Sequence, residues 1–189
     1  MRIHLVEPDP QWPARFSAYG ADLRHSLIDQ SVDGVAERLV AIHHIGSTSV
    51  PDLAAKPVID LQVTLTSFEP FEPVREAIEV LGYRWQSDNP DRRKRFFRLE
   101  ARDGTRRANV HVRITGDFAD RAALLFRDHL RAEPYARERY ETAKRELAVQ
   151  EWVDVNAYAD AKGDIIWQLL READVWAAQR GWRPGPSDA

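Results

Sequence analysis

Hydrophobic residues recur along this chain in two patterns, and each pattern predicts one kind of element. In residues 9–34 the aromatic and leucine side chains return every three or four positions, which is the spacing of a helix with one buried face. Short runs rich in β-branched and aromatic side chains predict strands. These runs cover residues 39–45, 58–65, 83–86, 95–100 and 109–114.

The helical spacing returns after the second strand and fills the later part of the chain. Predicted helices cover residues 72–81, 119–131, 134–150 and 157–179. Asp103 and Gly104 predict a hairpin turn between the last two strands. The predicted order is one helix, a mixed sheet with one helix, and then three helices. This order predicts an α/β (α+β) fold, in which a mixed β-sheet is flanked by helices and followed by a helical C-terminal half.

Chain length and the final residues predict the domain organisation. A chain of 189 residues has the size of one domain. We expect a single domain over residues 1–181, with a sheet-containing core at 1–118 and a helical part at 119–181. The last residues, WRPGPSDA, are rich in proline and glycine and predict a flexible tail at 182–189.

The composition excludes several classes of site. The chain has no cysteine, which excludes disulfides, thiolate zinc sites and a cysteine nucleophile, and we expect a cytoplasmic location. No apolar run approaches the roughly 20 residues of a membrane helix, and the first residues do not have the pattern of a signal peptide. The net charge of -3 argues against a nucleic-acid backbone as the main partner.

Basic residues are nevertheless concentrated in one region, which has two interpretations. They are a solvated hairpin with charged ends, or a local patch for a phosphorylated or acidic ligand. The residues are Arg92, Arg93, Lys94, Arg95, Arg98, Arg102, Arg106 and Arg107.

The most informative stretch is HHIGSTSVPDLAAKPVIDLQV, where a polar turn joins two predicted strands. Gly46 lets the backbone approach a phosphate closely. Hydroxyl and N–H groups that can hold phosphate oxygens follow it, at Ser47, Thr48 and Ser49. Lys56 adds a positive charge. Asp60, on the next strand, offers the hard oxygen ligand that Mg²⁺ prefers.

The string HIGSTSVPDLAAKPVID resembles the GrpB family, whose domain is also found fused to dephospho-CoA kinases. EPDPQWPARF, NVHV, LLFRDHLR and YETAKREL resemble the same family in the same order, so the resemblance covers nearly the whole chain. Asp52 stands where the family commonly has glycine. The resemblance implies a nucleotidyltransferase-like fold, a bound nucleotide or phosphorylated small molecule and Mg²⁺.

The resemblance also implies a set of catalytic positions that this chain fills only in part. Active members of the nucleotidyltransferase superfamily use two acids on one strand and a third on a neighbouring strand. Here the pair is Asp60 and Gln62, and the neighbouring strand offers His111, which is a candidate acid or base. Basic side chains of the later helices would face the phosphates, at Arg127, Lys144 and Lys162.

Two functions remain open on these residues. One is a Mg²⁺-dependent transferase that moves a nucleotidyl group to a small acceptor. The other is a non-catalytic accessory module that binds a ligand or assists a partner protein and has a degenerate metal site. A histidine metal site built from His43, His44, His111 and Asp60 is a third alternative, although neighbouring strand residues should point to opposite faces.

Overall fold

The computed structural model describes residues 1–30 and 34–189. Its helices are α1 Trp12–His25, α2 Val35–Arg38, α3 Glu72–Glu79, α4 Phe118–Ala132, α5 Pro134–Ala148, α6 Val155–Ala161 and α7 Gly163–Arg180. Its strands are β1 Leu39–Ile45, β2 Ile59–Leu65, β3 Arg84–Trp85, β4 Arg95–Glu100 and β5 Arg106–Ile114. A π-helical turn, Ser26–Gln30, continues α1, and the end of the first predicted helix, at 31–33, lies outside the described residues.

The five strands form one mixed sheet in the order β1-β2-β5-β4-β3. Only the central pair, β2 and β5, is parallel; the other neighbours are antiparallel. The hairpin turn predicted at Asp103 and Gly104 joins β4 to β5. The predicted mixed sheet flanked by helices, with a helical C-terminal half, is therefore confirmed.

The two faces of the sheet have different chemistry because side chains alternate along each strand. On β2, Ile59, Leu61, Val63 and Leu65 belong to the main hydrophobic core, which α1 and α3 cover. The intervening Asp60, Gln62 and Thr64 point to the opposite face, toward the C-terminal helices. The alternation of strand β2 therefore separates a dry core from a polar interior.

The long C-terminal helix predicted at residues 157–179 is instead two helices. Lys162 lies between the two helices, as the C-cap of α6 and the N-cap of α7, and its ψ of -6° departs from helical geometry there. Gly163, which has a low helix propensity, follows at the break. Helix α6 begins earlier than predicted, because Asp154 caps its N-terminus. The Asp154 side chain accepts a hydrogen bond from the N–H of Ala157 at 2.8 Å.

The final residues contact the sheet, whereas the sequence predicts a flexible tail at 182–189. Ser187 Oγ accepts a hydrogen bond from Ile42 N at 2.9 Å, and Asp188 N donates to Ile42 O at 3.0 Å. Asp188 Oδ2 accepts from His44 N at 3.0 Å. The tail is thus attached to β1 by main-chain and side-chain hydrogen bonds.

Within the described residues, no helix has the length and apolar character needed to cross a membrane.

Candidate functional site

A cleft of about 760 Å³ opens between the polar face of the sheet and the C-terminal helices. The turn at Gly46, Ser47 and Thr48 lies along one wall, and Asp60 lies beside it. The sheet also contributes Asn109, His111 and Arg113 from β5. The turn and the acid that the sequence singled out therefore meet in one cleft.

The parallel pairing of β2 with β5 places two polar residues against Asp60. Asp60 is aligned with Asn109 and Gln62 with His111. Asn109 Nδ2 donates to Asp60 Oδ1 at 2.8 Å, and His111 Nε2 lies 3.4 Å from the same oxygen. One oxygen of the carboxylate is thus engaged by β5.

Of the two titratable groups of this cluster, one is charged and the other is neutral at neutral pH. Burial raises the pKa of Asp60, but the hydrogen bonds from His111 and Asn109 outweigh it and leave that pKa below its usual value. Burial lowers the pKa of His111 despite the neighbouring carboxylate. Asp60 is therefore ionised, and His111 is a neutral imidazole that donates from Nε2.

The turn has one hydroxyl available to a ligand. Ser49 Oγ donates to Gly46 O at 2.6 Å, and Thr48 Oγ1 lies 3.0 Å from His44 Nε2, with both residues buried. Ser47 is half-buried, and the hydroxyl of the buried Tyr140 is within hydrogen-bonding reach of it. Thr48 and Ser49 therefore shape the turn, while Ser47 is the hydroxyl that a phosphate can reach.

Positive side chains from three segments converge on this cleft: the loop before β2, strand β5 and the junction of α6 and α7. Burial and the nearby charge of Lys162 lower the pKa of Lys56 to about 8. Burial also lowers the pKa of Lys162, Arg106 and Arg113. A bound anion would stabilise the charged form of these desolvated, mutually repelling groups, because it supplies the negative charge that their surroundings lack.

Both lysines of the cleft lie near the ring of Tyr158. Lys56 Nζ is 5.6 Å from the ring centroid, and Lys162 Nζ is 4.9 Å from it. Both distances are within the range of a cation–π contact. Tyr158 therefore holds two like charges near each other without neutralising them.

Three of the residues proposed from the sequence do not line the cleft. Gln62 is fully buried, and its Nε2 donates to Asp120 Oδ1 at 2.9 Å. Ser49 is buried in the turn. Lys144 is 2% exposed, its Nζ donates to Ala54 O, and burial lowers its pKa to about 7. These three side chains support the fold around the cleft.

Arg127 reaches the cleft, but its guanidinium is already paired. Its Nη1 donates to Asp188 Oδ2 at 2.7 Å and to His44 O at 3.0 Å. Its Nε donates to Asp128 Oδ1 at 2.7 Å. Arg127 therefore joins the tail to β1, and Lys162 is the cleft cation that the later helices supply from the predicted set.

The acid groups suit one Mg²⁺ ion shared with a ligand, and they do not suit a two-metal site. Asp60 Oδ1 is engaged by β5, which leaves Oδ2. Asp120 accepts from Gln62 and Thr64, and Asp91 is paired with Arg93 at 2.9 Å. Within residues 1–30 and 34–189, no three His, Cys, Asp or Glu residues group as metal ligands. Mg²⁺ commonly takes one or two carboxylates and completes its shell with phosphates and water.

The histidines do not form the alternative metal site. His44 stacks on Phe16 with ring centroids 4.7 Å apart, on the core side of the sheet. His43 faces the other side, with Nδ1 3.3 Å from Asp188 Oδ2. The opposite orientation of neighbouring strand residues, expected from the sequence, separates them.

Sequence reasoning missed several residues that line the cleft. Arg113 follows Asn109 and His111 at the two-residue spacing of one strand face, so the alternation of β5 could have identified it. Tyr140, which also lines the cleft, comes from α5, and no local pattern relates it to the turn.

Comparison with known proteins gives a consistent result. The family model described as "GrpB protein" matches residues 2–172. A UPF0157 protein of Streptomyces coelicolor is 43% identical over 92% of this chain and 85% of its own length. A dephospho-CoA kinase of Mycolicibacterium paratuberculosis is 31% identical over 96% of this chain, which spans 48% of that enzyme.

One solved structure is similar over nearly its whole length. The crystal structure of the conserved protein GrpB from Enterococcus faecalis has a TM-score of 0.77 and 28% sequence identity to this chain. The match covers 92% of this chain and 99% of that one.

Proposed function

Because this chain belongs to the GrpB family and its cleft gathers several cations near Asp60, we propose that it is a nucleotidyltransferase-like protein that binds a nucleoside triphosphate together with Mg²⁺. The observation that carries the proposal is the convergence of Lys56, Lys162, Arg106 and Arg113 on the cleft that contains Asp60. Asp91 and Asp160 also line the cleft, but its lysines and arginines outnumber its acids, which matches a ligand with several negative charges.

Each part of the cleft has a role in this proposal. The cations bind the phosphate oxygens, and Arg106 and Arg113 can do so with two parallel N–H donors. Ser47 donates its hydroxyl to a phosphate. Asp60 Oδ2 is the protein ligand for the metal, which would neutralise phosphate charge when bound. Asn109 and His111 fix the carboxylate so that its free oxygen faces the cleft.

Transfer of a nucleotidyl group to a small acceptor is the second candidate function. The pair formed by Asp60 and His111 favours it, since a neutral imidazole in a phosphate-binding cleft is a candidate proton carrier. In the part of the chain that the structure describes, Asp60 is not joined by two further metal-binding side chains, which favours binding without transfer. Such an accessory protein would hold a nucleotide or a related ligand, or assist a partner protein, and binding is the function that the geometry supports best.

Calorimetry with ATP, GTP, CTP and UTP, each with and without Mg²⁺, tests the proposal. We expect heat of binding with at least one nucleotide, and an at least tenfold loss of affinity, equal to about 1.4 kcal/mol, in Lys56→Met and Lys162→Met. Arg102→Met, at an exposed hairpin position, is the matched control and should bind normally. Absence of binding to all four nucleotides would contradict the proposal.

Asp60→Asn distinguishes the role of the acid. Without Mg²⁺, removing the charge of Asp60 should preserve or increase the affinity for the nucleotide, because the carboxylate repels phosphate. The gain in affinity that Mg²⁺ provides should disappear. Transfer activity lost in Asp60→Asn while binding persists would support the second candidate; biological activity retained in that variant would support the accessory function.

A further inference from the structure

The far end of the cleft is apolar and contains two exposed aromatic rings. Phe118, at the start of α4, is 54% exposed, and Trp167, on α7, is 52% exposed. Their rings are nearly parallel, with an interplanar angle of 15° and centroids 5.9 Å apart. Both rings line the cleft together with Ile166 and Leu170.

The exposure of these rings is not explained by the fold. Two large aromatic side chains that stay half in water lose much of the stabilisation that burial would provide, which is about 25 cal/mol per Å² of apolar surface. A parallel pair held at a concave surface is typical of a binding site rather than of isolated surface residues.

The position of Trp167 connects this apolar end to the cations. Lys162 precedes α7 and Trp167 lies five residues further on, which is about 7 Å along a helix axis. Helical side chains lean toward the N-terminus of their helix, which is the end where Lys162 lies. Lys162 and Trp167 both line the cleft, so one ligand there can contact the ammonium group and the ring.

A ligand that fills both ends must have an anionic part and a flat, apolar part a short distance apart. A nucleotide has this form, since its sugar separates the base from the first phosphate. We propose that Phe118 and Trp167 form the base-binding platform of the cleft, on which the base of the nucleotide stacks. This inference rests on the proposed function and identifies the part of the site that distinguishes a nucleotide from a simple polyphosphate.

Stacking makes a specific prediction about base preference. Every base has a π-face, so stacking tolerates all four bases, and a purine covers more of the platform than a pyrimidine does. We expect ATP and GTP to bind more tightly than CTP and UTP. Inorganic triphosphate should bind more weakly than any of them, because it engages only the cations.

The experiment compares ATP with inorganic triphosphate in the full chain by calorimetry. Trp167→Ala and Phe118→Ala should lower the affinity for ATP by roughly fivefold to a hundredfold and leave the affinity for triphosphate unchanged. Trp167→Phe should keep most of the affinity for ATP. Tyr135→Ala is the matched control, since Tyr135 is 72% exposed and does not line the cleft.

The outcomes separate this inference from the proposed function. Equal affinity of the unaltered protein for ATP and triphosphate, or an equal loss of both in Trp167→Ala, would overturn the platform and leave the anion-binding cleft standing. Binding of neither compound would overturn both. A melting temperature of each variant near that of the unaltered protein would show that the loss comes from the site rather than from unfolding.

Discussion

Gly46 and Asp60 are so close that the glycine cannot carry a side chain. A Cβ atom on Gly46 would lie 2.6 Å from Asp60 Oδ2 and 3.1 Å from its Cβ. The backbone of Gly46 also has a φ of 71° and a ψ of -175°, a conformation that is essentially restricted to glycine. The sequence suggests that Gly46 gives room to a phosphate; the structure shows that it first gives room to the acid.

Gly46→Ala should therefore lower both stability and Mg²⁺-dependent ligand binding. We expect a loss of about 1–3 kcal/mol in the free energy of unfolding from backbone strain, and more from the contact with Asp60, which β5 prevents from moving away. Urea unfolding measures the loss. Gly104→Ala is the matched control, because Gly104 has a φ of 79° but open space around it. Equal losses in the two variants would contradict the close contact.

Gln62→Glu should destabilise the protein rather than restore a metal site. Gln62 is fully buried and donates to Asp120, so a second carboxylate there would face the first, and the Thr64 hydroxyl has a single proton for the two of them. We expect a loss of about 2–4 kcal/mol at neutral pH, measured by urea unfolding, with a smaller loss at acidic pH where a carboxyl group regains its proton.

Gln179→Glu, at an exposed position of α7, is the control for adding a charge and should have little effect. Tighter Mg²⁺ binding by Gln62→Glu, without loss of stability, would show instead that Gln62 occupies the place of a lost metal ligand.

Gln62 illustrates which parts of the site can be predicted from sequence. Strand alternation correctly places Asp60 and Gln62 on one face of β2, because that relationship is local. It does not reveal that α4 covers one of them and leaves the other open. The covering residue, Asp120, lies 58 positions away in sequence, and its contact depends on how α4 packs on the sheet.

The same distinction holds for the helices and the turn. Residue spacing predicts most helices, yet it cannot give the helix packing that buries Lys144 and places Lys162 in the cleft. The resemblance to a known family did carry one conformational signal: Asp52 has a φ of 59°, in the left-handed region, at the position where that family commonly has glycine.

Affinity for ATP should fall as pH rises through the pKa of Lys56, which is about 8. Below that pH the lysine is charged and attracts phosphate; above it, binding must first restore the proton. We expect up to about a tenfold loss between pH 7 and pH 9, with proton uptake on binding, both measured by calorimetry in two buffers. Lys56→Arg keeps its charge over this range, so an unchanged pH dependence in that variant would assign the effect to another group.

Asp188 should make the protein sensitive to acid. Burial raises its pKa, but hydrogen bonds from His43 and His44 N and the charge of Arg127 dominate and lower it to about 2. A group whose folded pKa is lowered stabilises the protein above its unfolded pKa, near 4, and loses that effect as pH falls toward 2. Asp188→Asn should cost about 1–2 kcal/mol at pH 7 and should flatten acid unfolding in this window.

Asp88→Ala, at an exposed position of the loop before β4, is the control for loss of a carboxylate. Acid unfolding curves that coincide for the unaltered protein and Asp188→Asn would show that Asp188 contributes nothing between pH 4 and pH 2.

The attachment of the tail also changes what the sheet presents to other molecules. Strand β1 is at one edge of the sheet, and the hydrogen bonds from Ser187, Asp188 and Ala189 occupy the main-chain groups of Ile42 on its open side. An uncovered edge strand is a template on which a strand of another copy can add. Shortening the chain by its last three residues should therefore promote self-association, visible as larger species in size-exclusion chromatography.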